Sequence, residues 1–217
     1  MRTFLFAVLT ALLFLGFAPH TGESYALPAN RMPTHAVPFE LAREPDYAKA
    51  KKATMRYQTL WGVCSATAIA DHKVLLAKHC IEKGFAGLRL GTRTAVVVAV
   101  EEDSHDAVIL TTDIYFSDTA KFGPEPKQGD IVFSHGNPAS TPDMLLIGRV
   151  AGWVTEYSGV TRVMLLDRND WFGCSGAAVF DRNGLIVGVV NAVYPWPQQG
   201  WRLTAVYPLT FSKEQMQ

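Results

Sequence analysis

The chain has 217 residues, 48% of them apolar and 18% charged, with 20 Lys and Arg balancing 20 Asp and Glu. That balance leaves no basic field to attract nucleic acid and no acidic tail. Three cysteines are too few for a disulfide-built scaffold, and in an exported chain they imply one bridge and one leftover thiol.

The N-terminus reads as an export signal: Arg2, an apolar run from Phe4 to Ala18, then a polar stretch ending Ser24-Tyr25-Ala26. The small residues Ser24 and Ala26 fit cleavage after Ala26, giving a signal peptide at 1–26 and a secreted or periplasmic product. An uncleaved anchor is the alternative, but the run is short of the roughly 20 apolar residues a membrane span needs. No cysteine lies near the site to carry a lipid. The sequence therefore predicts no stable membrane association after cleavage, and no nucleic-acid partner.

Residues 27–57 hold Pro28, Pro33, Pro38 and Pro45, followed by Lys49-Ala50-Lys51-Lys52. They read as a leader wrapping the domain, with one helical turn from Asp46 to Met55, or as a disordered tail; composition allows either. From Trp61 the pattern changes to short β-branched runs separated by turn residues. They are Ser65–Ala70, Lys73–Ala77, Ala86–Leu90, Ala95–Val100, Ala107–Thr111, Asp130–His135, Leu145–Val154, Val160–Leu166, Ala178–Phe180, Ile186–Ala192 and Arg202–Val206. Runs at this spacing, punctuated by Gly123-Pro124, Gly136-Asn137-Pro138 and Asp181-Arg182-Asn183-Gly184, indicate an all-β barrel or sandwich over 58–217. The loop Thr112–Gly129 divides a first unit at about 58–115 from a second at about 128–210.

The chemistry concentrates at Gly173-Cys174-Ser175-Gly176. A serine between glycines on a tight turn exposes its hydroxyl and can aim its own N–H, with that of Gly173, at a substrate carbonyl oxygen. By itself a G-x-S-G is weak. Upstream stand His79 and Asp106, and His, Asp and Ser in that order suggest nucleophilic acyl transfer. A serine hydroxyl needs a base, which His79 supplies near neutral pH, while a carboxylate fixes the imidazole tautomer and stabilises the imidazolium. Asp106 enters the apolar run Ala107–Leu110, a place where Asp is also common as a plain turn residue. Cys64 and Cys80 flank a predicted hairpin that can bring their sulfurs together, which would pin the backbone beside His79. Cys174 reads as a buried small residue rather than a nucleophile, because Ser175 and not Cys174 precedes Gly176. The remaining histidines, His20, His35, His72, His105 and His135, show no metal-ligand spacing, and His105 is expected on the surface, pointing away from Asp106. No cofactor is implied.

These segments resemble the trypsin-like (chymotrypsin-fold) serine proteases, whose base lies in a T-A-x-H-C block bridged to an upstream cysteine; here the block reads Leu76-Ala77-Lys78-His79-Cys80. The likeness is closer to short bacterial members, especially the HtrA/Deg protease domain. It is carried by Gly129-Asp130-Ile131-Val132, Gly136-Asn137-Pro138, Gly148-Arg149-Val150, Asp167 and Asn183-Gly184-Leu185-Ile186-Val187-Gly188. The resemblance implies two six-stranded antiparallel β-barrels with a cleft between them. It makes His79 the base, Asp106 its orienter, Ser175 the nucleophile, and the N–H groups of Gly173 and Ser175 the oxyanion hole. Substrate backbone would pair with Asn191-Ala192-Val193 as an added strand, and Arg168–Phe172, including Asn169 and Asp170, would wall the specificity pocket with them.

The chain departs from that pattern at Cys174, where the familiar motif has an aspartate that receives a new N-terminal ammonium, so activation by that route is not expected. The few residues after Pro208 leave no room for the PDZ module of the HtrA/Deg group. The function expected is an exported serine endopeptidase acting on protein or peptide substrates through an acyl-enzyme. The alternative is a catalytically weak or inactive binding protein on the same fold. An esterase elbow would need alternating helices and a histidine last in the order, and neither is present.

Overall fold

Asp46 starts the first described element by accepting the Lys49 N–H on its carboxylate at 3.1 Å, the side-chain cap of helix α1 (Tyr47–Ala53). Lys51 and Lys52 fall in its last turn, where positive charge suits the carbonyl end of the helix dipole. Ala50 and Ala53 face inward, and Thr54 ends the helix in extended conformation while its hydroxyl donates to Ala50 O at 3.0 Å. The computed structural model describes residues 45–59, 62–81, 87–155, 162–196, 201–212 and 214–215. The signal segment, the proline-rich part of the leader and the loop at 197–200 lie outside the described residues. All described residues belong to one unit, Leu41–Gln217.

The first barrel is built from β1 (Thr54–Gln58), β2 (Val63–Ala70), β3 (Lys73–Ala77), β4 (Gly87–Leu90), β5 (Arg93–Glu102) and β6 (Ala107–Thr112), closed in the order β1-β2-β3-β6-β5-β4. Closure is made by β1 against β4, with Tyr57 opposite Leu90. β1 lies in the stretch that the sequence assigns to the leader; its five residues, Thr-Met-Arg-Tyr-Gln, bury only Tyr57 fully, so periodicity gives no signal.

The second barrel comprises β8 (Ile131–Gly136), β9 (Met144–Thr155), β10 (Arg162–Leu166), β11 (Ala178–Phe180), β12 (Leu185–Trp196) and β13 (Trp201–Tyr207), closed by pairing of β11 with both β8 and β12. A two-residue strand in the dividing loop, β7 (Lys121–Phe122), adds to β12 in parallel. All eleven strand runs seen in the sequence correspond to strands, and β1 and β7 are additions. The architecture is the double six-stranded barrel that the resemblance implies.

One apolar cluster joins the two barrels: Leu75, Ile109 and Leu110 from the first with Phe133, Phe180 and Ile186 from the second. Phe133 and Phe180 stack at 5.4 Å, and Tyr47 of α1 meets Phe133 edge-on at 4.8 Å. Each such ring or aliphatic group contributes roughly 1.5–3 kcal/mol by leaving water, so the seam is stabilised by burial of the same kind as the interiors. A second cluster, Val132, Val150, Met164, Leu166 and Val206, fills the second barrel and includes Cys174. The free thiol is thus a core side chain.

Candidate active site

His79 sits on a one-turn 3-10 helix that ends β3, and Asp106 precedes β6, the neighbour of β3 in the sheet. Pairing of Ala77 with Ala107 therefore delivers the two residues side by side. Lys78 N–H donates to Asp106 O at 2.6 Å, His79 N–H donates to Asp106 Oδ1 at 2.9 Å, and His79 Nδ1 lies 2.5 Å from Asp106 Oδ2. Asp103 reinforces the loop, its Oδ1 accepting the N–H groups of His105 and Ala107 on either side of Asp106, both at 2.9 Å. His105 is not a surface residue as expected: its side chain is 14% exposed and stacks on Tyr207 at 5.8 Å.

The Cys64–Cys80 disulfide is formed. It joins the start of β2 to the residue after His79, and Cys80 Sγ lies 3.9 Å from Ser175 O.

Ser175 comes from the second barrel, on the turn before β11. His79 and Ser175 line one cavity of about 390 Å³ together with Cys64, Cys80, Phe172 and Gly173. The Ser175 hydroxyl donates to Asn191 O at 3.4 Å and makes no hydrogen bond to His79 here.

Every peptide plane of the turn is fixed. The carbonyl of Phe172 accepts from Ala139 N at 2.6 Å, Gly173 O from Ser65 Oγ at 2.8 Å, Cys174 O from Ala177 N at 2.9 Å, and Ser175 O from Ser65 N at 2.8 Å. Cys174 N–H donates to Trp171 O and Gly176 N–H to Val190 O. The N–H groups of Gly173 and Ser175 are the two donors of the turn left without a partner among the described residues. In a trans peptide the N–H opposes the carbonyl, so the bonds on Phe172 O and Cys174 O set where those two donors point.

Glycine is required on both sides of the turn. Gly173 has φ 100°, and a Cβ there would lie 2.1 Å from Asn137 O; Gly176 has φ 84°, and its Cβ would lie 2.2 Å from Ser65 O. The turn is pressed against the second barrel's Asn137 on one side and the first barrel's β2 on the other.

Asn191 does more than its place on the strand expected to pair with substrate suggests. β12 carries a bulge between Val190 and Ala192, which re-aims the extra residue, and the Asn191 amide donates to Asp106 Oδ2, the oxygen that also faces His79. Beyond Val190 the other edge of β12 has no strand partner among the described residues, while Ala192 is exposed and Val193 pairs with Thr204.

Of the pocket residues, Asn169 is exposed and Asp170 is buried. Asp170 Oδ2 accepts from Arg168 Nη2 at 2.9 Å, and Arg168 Nη2 also donates to Ser134 Oγ at 2.6 Å. Asp170 N–H donates to Thr204 Oγ1 at 2.9 Å. Burial pushes the Asp170 carboxyl above its ordinary range against the pull of Arg168. Burial, with the Asp170 charge, pushes the Cys174 thiol up to about 11, which leaves it protonated and unreactive.

Sequence reasoning missed the bulge at Asn191, the buried Ser65 clamp, and Asn137, whose amide donates to Ser65 Oγ at 2.9 Å. The available signals were a serine inside an apolar strand and an asparagine between glycine and proline.

The family model described as Trypsin-like peptidase domain matches residues 63–189. No curated protein sequence matches the chain. Among solved structures, the active form of the Rv3671c protease from M. tuberculosis is similar at 18% identity and a TM-score of 0.64, over 77% of this chain and 81% of that one. The HtrA-type protease AlgW with tripeptide is similar at 22% identity and a TM-score of 0.62, over 76% of this chain and 60% of that one. The serine endoprotease from Yersinia pestis is similar at 18% identity and a TM-score of 0.59, over 75% and 62%. The chain thus spans about three-fifths of the latter two, and at these identities the likeness is one of fold.

Proposed function

We propose that this chain, which belongs to the trypsin-like peptidase domain family and is a serine endopeptidase by that membership, is exported and cleaves protein or peptide substrates through His79, Asp106 and Ser175. The observation that carries the assignment of residues is the pairing of His79 Nδ1 with Asp106 Oδ2 at 2.5 Å beside a serine whose turn leaves two backbone donors unpaired. Asp106 holds the Nδ1–H tautomer, which leaves Nε2 free to take the serine proton. Rotation of the Ser175 side chain away from Asn191 O brings Oγ toward His79, a tightening expected when substrate arrives.

Ser175 Oγ then attacks the scissile carbonyl, His79 takes its proton, and the N–H groups of Gly173 and Ser175 receive the developing oxyanion. Collapse expels the amine, protonated by His79. Water, deprotonated by the same imidazole, hydrolyses the acyl-enzyme. The unpaired edge of β12 from Asn191 onward suits an extended peptide bound as an added strand. Arg168 and Asp170 neutralise each other, so the pocket wall offers substrate no unpaired charge from this pair. The disulfide fits an oxidising compartment, which agrees with a cleaved signal at 1–26. Among the described residues no helix is long and apolar enough to cross a membrane.

Labelling of residues 27–217 with a fluorophosphonate probe tests the reading, with Ser175→Ala and Cys174→Ala in parallel. Loss of label in Ser175→Ala alone supports it. An unlabelled wild-type protein, both as residues 27–217 and trimmed to Pro45 so that helix α1 and strand β1 are kept, favours the non-catalytic binding protein.

A further inference from the structure

The orientation of the Gly173 N–H depends on a bond from a loop that is strained in isolation. Ala139 N, which fixes the Phe172 carbonyl, has φ 48°, and Ser140 (66°) and Asp143 (59°) share the left-handed region with it. None is glycine, and each is disfavoured there by Cβ contacts, so the 137–143 loop must be held from outside.

Two sets of contacts hold it. From within, the buried Asn137 donates to Ser65 Oγ at 2.9 Å and its Oδ1 accepts the Asp143 N–H at 3.4 Å. From outside, the Asp143 carboxylate faces helix α1 and its dock: Oδ2 lies 2.6 Å from Lys51 Nζ, and Oδ1 lies 3.4 Å from Nδ1 of the buried His135. His135 Nε2 lies 3.1 Å from Tyr47 O, and the Tyr47 ring meets Phe133. α1 therefore grips the second barrel beside the loop and reaches the loop itself through Lys51. Cys174, next to Ser175, is an uncharged core side chain and makes no ion pair that could set the turn. Among the described residues, the ion pair that reaches this loop from a Lys or Arg side chain runs from Lys51 of α1.

We infer that helix α1 is an activating element supplied by the chain itself: Lys51 holds Asp143, and the 137–143 loop in turn keeps the Phe172–Gly173 peptide oriented for oxyanion binding. Lys51, Asp143 and Asn137 are positioning residues. The inference rests on the proposed role of the Gly173 N–H, and displacement of α1 would switch the site off without touching His79, Asp106 or Ser175.

The test uses the disulfide-bonded chain with Lys51→Met, Lys51→Arg and the swapped pair Lys51→Asp with Asp143→Lys. Lys51 is 56% exposed, so folding is not at stake, and an unchanged unfolding midpoint verifies this. Steady-state kinetics on a peptide substrate and amide exchange of 137–143 and 171–176 are read together. Lys51→Met is expected to lower kcat about 3- to 5-fold, the range of a half-exposed ion pair, with KM within about 2-fold. Exchange should quicken in both segments, and Lys51→Arg and the swapped pair should restore both readouts. Unchanged exchange at 171–176 in Lys51→Met overturns the inference, whatever the activity. If the wild-type chain turns over nothing but exchange quickens in both segments, the proposed catalysis fails while the mechanical link stands.

Discussion

Replacing Asn191 with alanine should slow catalysis while leaving the fold intact. Asp106 Oδ2 carries two contacts, from His79 Nδ1 at 2.5 Å and from the Asn191 amide, and Oδ1 carries the His79 N–H at 2.9 Å. The variant removes one donor from a charged acceptor, a bond worth about 1.5–3 kcal/mol. Expressed wholly in the transition state, where His79 is an imidazolium, that is a drop in kcat of roughly 10- to 150-fold. Asp106 is 23% exposed at its side chain, so water replaces part of the lost bond and the lower end, about 10-fold, is expected. The substrate strand keeps its backbone, so KM should change little. Asn191→Asp sets a second carboxylate against the first and should cost more than alanine. Steady-state kinetics across pH on all three proteins is the assay. An Asn191→Ala enzyme within 2-fold of wild type refutes the claim that the Asn191 amide, turned by the bulge on β12, holds Asp106 for the reaction.

Gly176→Ala places a Cβ 2.2 Å from Ser65 O and 3.0 Å from Ala77 N at φ 84°; strain and overlap together predict a loss of about 2–6 kcal/mol. Urea unfolding and probe labelling should both register it, and wild-type stability in this variant would contradict the close approach. Removing the Cys64–Cys80 bridge as the double alanine variant opens a 16-residue loop and should cost about 3 kcal/mol, with labelling slowed because the bridge anchors the residue after His79. A double variant as stable and as reactive as wild type would refute this. Burial lowers the His135 pKa against the opposing pull of Asp143 and the Tyr47 carbonyl, so the unfolded chain binds the proton more readily than the folded one. Stability from this group is complete above the ordinary value near 6.5 and declines as pH falls from there toward the folded pKa. Melting at pH 7.5 and 5.5 should show a smaller acid loss in His135→Gln than in wild type; an identical loss in both would sink the assignment.

The fold was readable because barrel strands buried on both faces are continuous apolar runs: Val74–Ala77 and Ala107–Leu110 are each 0–1% exposed. Such runs stand out against polar turns, whereas β1 buries one side chain fully and β7 is two residues long, so neither leaves a pattern. His79 and Asp106 could be placed together once the strands carrying them were seen, since β3 and β6 pair with Ala77 opposite Ala107. Asn191 could not: its amide reaches Asp106 only because a bulge turns it, and a bulge shows in pairing rather than in composition. Arg168 and Asp170 stand in the sequence only as expected walls of the specificity pocket, and packing reveals them as one buried ion pair. The expectation for His105 failed because alternation along an extended segment does not apply to a loop wound around Asp103.

The same geometry explains why so much polar structure is buried at the seam. His79 and Asp106 belong to the first barrel and Ser175 to the second, so the proposed catalysis requires two separately closed sheets to hold one register. Apolar packing of Phe133, Phe180 and Leu75 presses the barrels together but is non-directional and tolerates sliding. Ser65 supplies the direction. Fully buried on β2, it gives its N–H to Ser175 O and its hydroxyl to Gly173 O while accepting from Asn137, so a shift of either barrel strands a buried donor or acceptor. Leaving such a group unpaired costs roughly 1–3 kcal/mol, and three bonds meeting on one residue make the penalty steep on every side. A polar clamp at the centre of an apolar seam therefore converts loose adhesion into a fixed relation between the proposed base and nucleophile, and Ser65→Ala should slow the proposed reaction although the clamp serine is buried away from the cleft.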